Sequence, residues 1–299
     1  MNKAEHFKSG FVAVVGRPNV GKSTMINALI GDKIAIVSDK AQTTRNRIIC
    51  VYTDDEKQIV FMDTPGVHKP KHKLGEFMVD AAIESLKETE AVLFVVAGNE
   101  KRGPGDNFII EQLKRVKVPV FLVVNKIDTL QKEQVLESIV SYQDAYPFTG
   151  VIPISAKNKE NLSELLNVLG EHLPEGPQYF PEDMITDQPE RLIISDIVRE
   201  KILLSTRDEI PHAIAVDVDE MKTRDDGTTY IRATIYCERD SQKGIIIGNK
   251  GALLRKIGAE ARMDIQKLLA TKVYLDLWVK VKKDWRNKSG MLSELGYKK

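Results

Sequence analysis

The residues Gly16-Arg17-Pro18-Asn19-Val20-Gly21-Lys22-Ser23 have the spacing G-x-x-x-x-G-K-S, with Thr24 following. Glycines at 16 and 21 let a loop turn its N–H groups inward onto anionic oxygens, and the N-terminus of a following helix adds a positive dipole end. Lys22 suits the β- and γ-phosphates of a nucleotide, and the Ser23 hydroxyl suits Mg²⁺. A glycine turn before an ordinary helix would look the same in isolation. The apolar run at 11–15 before it and the helix-like run at 24–30 after it supply the strand–loop–helix context that phosphate binding needs.

Three shorter boxes follow in order. In Asp63-Thr64-Pro65-Gly66, the aspartate can hold the Mg²⁺ shell through water and Gly66 can offer its N–H to a γ-phosphate. In Asn125-Lys126-Ile127-Asp128, the Asp128 carboxylate can accept both N1–H and the exocyclic amine of guanine. Adenine lacks both donors, so the box selects GTP over ATP. In Ser155-Ala156-Lys157, a backbone N–H can bind the guanine O6. Each box alone reads as a turn or a strand end. All three behind a phosphate loop do not.

These boxes need a scaffold that brings them to one edge. Residues 11–15, 47–53, 58–63, 91–97, 119–125 and 151–155 read as strands, the last four rich in Val, Ile, Leu or Phe as strands covered on both faces should be. Helical patterns alternate with them at 23–30, 74–88, 106–117, 132–146 and 161–169. A tight turn at 52–56 makes the second and third strands an antiparallel pair. The expectation is an α/β fold with a mostly parallel six-stranded sheet, its ligands at the C-terminal strand ends where the boxes fall.

A chain of 299 residues suggests two domains. It is 42% hydrophobic and 29% charged with a net charge of +1, enough to fill both cores. The charge is uneven: from Ser241 onward 14 basic residues face 5 acidic ones, pointing to a polyanionic partner, nucleic acid or an anionic membrane surface. Cys50 and Cys237 are far apart and match no metal or disulfide spacing, which fits a reducing cytosol. The polar start has no signal core, and the longest apolar run, 91–97, is far short of a membrane span.

The stretch 173–189 holds Pro174, Pro177, Pro181 and Pro189 without apolar periodicity. It is expected to be a semi-rigid linker, dividing a first domain at 1–173 from a second at 190–299 that ends in a basic tail. The second half reads helix (191–204), strand (213–221), strand (229–237), helix (243–247), loop, helix (252–269), strand (273–281). The piece Gly248-Asn249-Lys250-Gly251 joins the last two helices, and its glycines allow a nucleic-acid backbone to approach while bases lie across Ile245, Ile246 and the adjoining strand. Lys243, Gly244, Lys250, Arg255 and Lys256 surround it. The order and the G-x-x-G resemble a type II KH domain, which implies a single-stranded RNA target of about four nucleotides and no DNA partner.

With these residues in view, GRPNVGKS, DTPG, NKID and SAK resemble the nucleotide motifs of translation-factor-class GTPases. Together with the KH-like half they resemble the Era family of bacterial ribosome-assembly GTPases over essentially the whole chain. The resemblance implies GTP/GDP and Mg²⁺ as ligands, with Ser23, Asp63 and Thr44 serving the metal; Thr43 is the alternative to Thr44 within Gln42-Thr43-Thr44-Arg45. Lys22, Thr44, Gly66 and Asn19 are implied in hydrolysis. Val67 stands where Ras-like enzymes have a water-orienting glutamine, so a slow intrinsic rate is expected. His68 beside it reads as a solvated loop residue rather than a base. Asn19 matches a position that in related GTPases helps hold a potassium ion. The family further implies binding to the 3′ end of 16S ribosomal RNA, a role in 30S subunit maturation, and a cytoplasmic protein with some association with the inner face of the cell membrane. Two other classes stay open: a membrane-surface signalling GTPase, and an RNA chaperone with a vestigial nucleotide site.

Overall fold

A computed structural model of the protein describes residues 6–297 apart from Ala41, His68 and Lys71. His68 thus lies outside the described residues. The chain forms two compact units. The first comprises Met1–Ala35, Thr44–Lys71 and Gly75–Asp187; the second comprises Ile36–Thr43, His72–Leu74 and Gln188–Lys299.

The first half runs β1 (Lys8–Val15), α1 (Lys22–Ile30), β2 (Ile48–Thr53), β3 (Lys57–Asp63), α2 (Lys73–Glu84), β4 (Ala91–Ala97), α3 (Pro104–Leu113), β5 (Val120–Asn125), α4 (Lys132–Gln143), β6 (Gly150–Pro153) and α5 (Leu162–His172). The six strands form one sheet in the order β2-β3-β1-β4-β5-β6. Only β2 runs antiparallel, paired with β3 from Ile48–Asp63 to Thr53–Gln58. The expected α/β fold is the one observed. Helices cover both faces, so the central strands are apolar throughout: every residue of β4 is buried. One core lies on each face, built around Val14, Phe61, Leu93 and Val123 on one side and Val15, Met62, Phe94 and Val124 on the other. Alternation along each strand sends neighbours to opposite cores.

The proline-rich stretch runs against the strands of the first unit. The Ser9 N–H donates to the Pro174 carbonyl at 3.1 Å and Gly176 N–H to Phe7 at 3.0 Å. Gln58, fully buried, accepts the Tyr179 and Phe180 N–H groups at 2.8 and 3.0 Å and donates to the Phe180 carbonyl at 2.9 Å. Farther on, Val51 N–H donates to the Ile185 carbonyl at 2.9 Å. Prolines lack the donors for a regular ladder, so this strap uses side chains and scattered backbone groups instead.

The second unit contains α6 (Glu190–Ser205), α7 (Ile210–Ala213), β7 (Ala215–Thr223), β8 (Thr229–Cys237), α8 (Asp240–Ile247), α9 (Ala252–Leu269), β9 (Val273–Val281) and α10 (Ser289–Glu294). Its sheet has the order β7-β8-β9, antiparallel then parallel. Ile194, Val198 and Ile202 of α6 and Ile257, Ala261 and Ile265 of α9 share a core with Ile231, Ala233 and Ile235 of β8. Two differences from the sequence reading stand out. Residues 210–213 form a short helix with Pro211 in its first turn, so β7 starts later than the alternation suggests. The chain after β9 is folded rather than a loose tail: Trp285 is fully buried and its indole N–H donates to the Ala213 carbonyl at 2.9 Å. An indole with a satisfied N–H outweighs the lysines around it, which keep their charged ends in water.

Candidate functional site

In the first unit, β1 ends at Val15 and α1 begins at Lys22, with the glycine loop between them. Gly21 holds φ +96°, the left-handed region that glycine enters without cost, and a Cβ there would strike the Asn125 amide. That same amide fastens three boxes together. Asn125 Nδ2–H donates to the Val20 carbonyl at 2.9 Å, and its Oδ1 accepts the Ala156 N–H at 3.0 Å. The glycine loop, the Asn125–Asp128 box and the Ser155-Ala156-Lys157 box are thereby joined through one side chain.

Lys22 is buried, and its ammonium donates to the carbonyls of Gly16 and Arg17 at 3.2 and 3.0 Å. Burial pulls its pKa down to about 8, against the opposing pull of Asp63. Asp63 is likewise fully buried, and burial lifts its carboxyl above the usual range despite Lys22, Ser23 and Thr44. Both shifts describe a pair of charges held out of water, an expensive arrangement that suits a polar ligand.

Three oxygens converge beside them. Ser23 Oγ–H donates to Asp63 Oδ2 at 2.7 Å, Ser23 Oγ lies 2.9 Å from Thr44 Oγ1, and Thr44 Oγ1 lies 3.4 Å from Asp63 Oδ2. The second carboxylate oxygen, Asp63 Oδ1, is buried without a hydrogen-bond partner. Hard oxygen donors with an orphaned carboxylate oxygen fit Mg²⁺. The hydroxyl of Thr43 instead donates to the Lys40 carbonyl at 2.7 Å. The structure therefore brings Thr44 into the cluster and not Thr43.

The Asp63-Thr64-Pro65-Gly66 box closes over the loop. Thr64 Oγ1–H donates to the Val14 carbonyl at 2.6 Å, and Val67 N–H donates to the Gly16 carbonyl at 3.1 Å. A Cβ on Gly66 would sit 2.7 Å from Pro18 Cα, so glycine is required by this close approach. Val67 is buried and offers no side-chain polar group there. On the opposite flank, Asp128 is exposed and its Oδ1 accepts the Ser155 hydroxyl at 2.7 Å, which aims the carboxylate. Lys126 has φ +68° and Lys157 is exposed beside the box. Asn19 also has positive φ, +64°, at the exposed crest of the loop, next to Val20 and ahead of Thr24 in the first turns of α1.

One placement differs from the motif reading. The Arg17 side chain leaves the loop for α3: its Nε–H donates to buried Asp106 at 2.9 Å and its guanidinium meets Glu100 at 3.0 Å. Arg17 serves the loop through its backbone, while its side chain anchors it. Asp106 and Glu100 were missed because no spacing in the sequence links them to Arg17; only the fold does.

In the second unit, Gly248 (φ +71°, ψ 178°), Lys250 (φ +49°) and Gly251 (φ +78°) carry the chain between α8 and α9. Asn249 and Lys250 are exposed, and Arg255 Nη2–H folds back onto the Lys250 carbonyl at 3.1 Å. Beyond this loop a groove of about 480 Å³ is lined by Gly251, Leu254, Gly258, Leu275 and Leu277 with Lys250, Arg255 and Arg262. Apolar walls with cations alongside suit splayed bases and their phosphates. The sequence pattern missed Gly258, Arg262, Leu275 and Leu277, although α9 residues 254, 255, 258 and 262 share one helical stripe. One expectation is corrected: Ile246 is fully buried in the core, because α8 turns it inward, and it cannot meet a base. Ile245 is 53% exposed and remains available; Lys243 and Gly244 lie on α8 and outside the groove.

Comparison with known proteins gives matches to both halves of the chain. A family model described as a 50S ribosome-binding GTPase matches residues 11–126, and a KH domain model matches residues 209–286. A crystal structure of Era in complex with MgGDPNP and nucleotides 1506–1542 of 16S ribosomal RNA is 44% identical, with a TM-score of 0.95, covering 98% of this chain and 99% of that one. A second crystal structure, of a tyrosine-to-alanine variant of Aquifex aeolicus Era bound to GDP·AlF4⁻, is 43% identical with a TM-score of 0.94, covering 97% and 99%.

Proposed function

The chain belongs to the Era family of GTPases, and from that premise we propose a Mg²⁺-dependent GTP switch whose second unit binds the 3′ region of 16S ribosomal RNA during maturation of the 30S subunit. The observation that carries this reading is the joining of two sites in one chain. Buried Asp63 converges with Ser23 and Thr44, Asn125 ties the phosphate loop to the base-reading boxes, and the basic G-x-x-G groove follows. The domain division we propose keeps residues 1–173 for nucleotide and 190–299 for RNA, with 174–189 between them.

Ser23, Thr44 and Asp63 are the residues we assign to Mg²⁺, which when bound offsets charge on the β- and γ-phosphates. Lys22, released from the loop carbonyls it now holds, is assigned to the same phosphates. Gly66 is assigned to the γ-phosphate through its backbone, and the Ser155–Lys157 turn to the guanine O6. Val67 supplies no group to orient water, which supports slow hydrolysis. The intact pair of buried charges, Lys22 and Asp63, argues against a vestigial nucleotide site, since unused buried charge is costly.

RNA affinity should differ about tenfold between the full chain with a non-hydrolysable GTP analogue and with GDP, measured by fluorescence anisotropy with a 16S 3′-end oligonucleotide. Equal affinities in the two states would sink the switch, because a ligand without differential affinity shifts nothing. Asn19 at the loop crest is assigned to a potassium ion beside the phosphates. Turnover is expected to be several-fold faster in potassium than in sodium chloride, and Asn19→Ala should erase the difference. Equal parental rates in both salts would remove the ion from the mechanism.

Among the described residues no helix is long and apolar enough to cross a membrane. We place the protein in the cytoplasm, with peripheral attachment to the membrane's inner face through its basic segments. The competing reading, a signalling GTPase that reads lipid, predicts that anionic vesicles outcompete the RNA at equal salt.

A further inference from the structure

Within the first unit, the start of the phosphate loop is held from three sides. A Cβ on Gly16 would sit 2.3 Å from the Val95 carbonyl oxygen, so the loop begins pressed against β4. Two residues on, Pro18 packs against Gly66. Between them the Arg17 side chain crosses to α3. Its stem passes over Gly105, where a Cβ would meet Arg17 Cδ at 2.9 Å, and its Nε lies 2.9 Å from both oxygens of Asp106. The two carboxylates around this guanidinium differ in kind. Glu100, at 3.0 Å, is exposed and shared with Lys126 at 3.8 Å, whereas Asp106 is fully buried. Water replaces an exposed partner at little cost, while a buried carboxylate is tolerated through its pairing. The grip on Arg17 therefore lies with Asp106.

Asp106 also accepts the Gly103 N–H at 2.8 Å on Oδ2, which closes the first turn of α3. That task needs neither burial nor a guanidinium, since helix caps work in water. What burial adds is a fixed point for Arg17, whose own carbonyl accepts the Lys22 ammonium at 3.0 Å. We propose that Asp106 is a positioning residue for nucleotide binding and hydrolysis: through Arg17 it fixes the backbone of the phosphate loop, and with it the N–H groups that meet the phosphates. A guanidinium suits this task because its planar fork sets direction as well as distance, whereas an ammonium acts as a single point. The inference rests on the reading of residues 16–23 as a phosphate loop.

Loop N–H groups act together only where their directions are set beforehand, so a looser loop holds the phosphates less tightly and places them less well. Misplacing a positioned group by about 1 Å costs on the order of 100-fold in rate, so a partial release should cost about tenfold. Base reading is separate from this grip, because Asp128 is aimed by Ser155. Discrimination between guanosine diphosphate and inosine diphosphate, whose base lacks the 2-amino group, should therefore be untouched.

The test compares the full chain with Asp106→Asn, Arg17→Ala and the Asp106→Asn/Arg17→Ala double variant. Asparagine matches aspartate in size and its carbonyl oxygen can keep the Gly103 cap, while its NH₂ sets a donor against Arg17 Nε–H. The expected result for Asp106→Asn is GDP dissociation about tenfold faster, kcat about tenfold lower, and a GDP-to-IDP affinity ratio within about twofold of the parent. Amide exchange at Gly16, Arg17 and Asn19 should quicken in the nucleotide-free variant while that of Leu113 in α3 stays parental, which separates loop position from helix stability. In the Arg17→Ala background Asp106→Asn should not speed GDP dissociation further, since the two act as one unit. Should Arg17→Ala fail to fold, dissociation and exchange in Asp106→Asn carry the test by themselves. Parental dissociation and exchange in Asp106→Asn, a collapse of the GDP-to-IDP ratio, or additive effects in the double variant would each overturn the proposal. A parent that binds no GDP removes the phosphate-loop reading and this inference with it. A parent that binds GDP beside an unaffected Asp106→Asn removes the role of Asp106 alone.

Discussion

Replacing Asp128 by asparagine is expected to turn a guanine site into a xanthine site. The carboxylate presents two acceptors, which match N1–H and the 2-amino group of guanine. An amide presents one acceptor and one donor, which match N1–H and the 2-carbonyl of xanthine. With guanine the variant sets an N–H against an N–H, leaving two polar groups unpaired once the base covers them. Sites that read a base through such groups discriminate by about 10⁴-fold, so GDP affinity should fall by roughly 10³-fold or more. Xanthosine diphosphate should overtake it by a comparable margin.

The surroundings make this a clean exchange. Ser155 Oγ lies 2.7 Å from Asp128 Oδ1, and a hydroxyl can either donate to an amide oxygen or accept from an amide nitrogen. The asparagine therefore keeps its orientation. Asp128 is exposed, so the substitution leaves no cavity. The frame behind it depends on Asn125, which stays bonded to Val20 and Ala156. Calorimetric titration with the two diphosphates is the measurement. Equal losses for both would mean that the residue supports the fold and does not read the base; no loss of GDP would mean that the base binds elsewhere.

The nucleotide boxes were legible because each concentrates its chemistry within three to eight consecutive residues at a strand end. The mostly parallel six-stranded sheet could be inferred because apolar runs separated by helices leave an α/β sheet as the natural packing. What escaped the sequence was long-range pairing. Arg17 with Asp106, and Arg199 with the Gln42 and Thr43 carbonyls, span 89 residues and more than 150 respectively. Neither pair leaves a local pattern. Gln58 escaped for the same reason: a glutamine inside an apolar strand gave no hint that it would fasten residues 179 and 180. Ile246 shows the opposite failure. Three consecutive isoleucines look alike in sequence, and only the rotation of α8 decides that Ile246 goes to the core while Ile245 stays out.

Lys250→Glu is expected to weaken RNA binding about 30-fold at low salt, because two units of charge change beside a phosphate and each is worth about 1 kcal/mol at an exposed site. The loop glycines would be a poorer test. A Cβ on Gly248 would meet the Leu253 Cβ at 2.8 Å, so a substitution there disturbs the start of α9 before it touches RNA. Lys250 is exposed, and its backbone carbonyl is engaged by Arg255. The variant should therefore unfold within about 0.5 kcal/mol of the parent. Its effect should also depend on salt in a definite way. Each phosphate that the protein no longer neutralises takes about 0.7 from the slope of log affinity against log salt for a single strand, so the parental and variant lines converge as salt rises. A variant that loses affinity equally at all salt concentrations has lost shape and not charge, and the loop would then not be where phosphates lie. Converging lines, with the loss largest at low salt, put the RNA backbone on the exposed turn between Gly248 and Gly251 and leave the apolar groove along α9 and β9 for the bases.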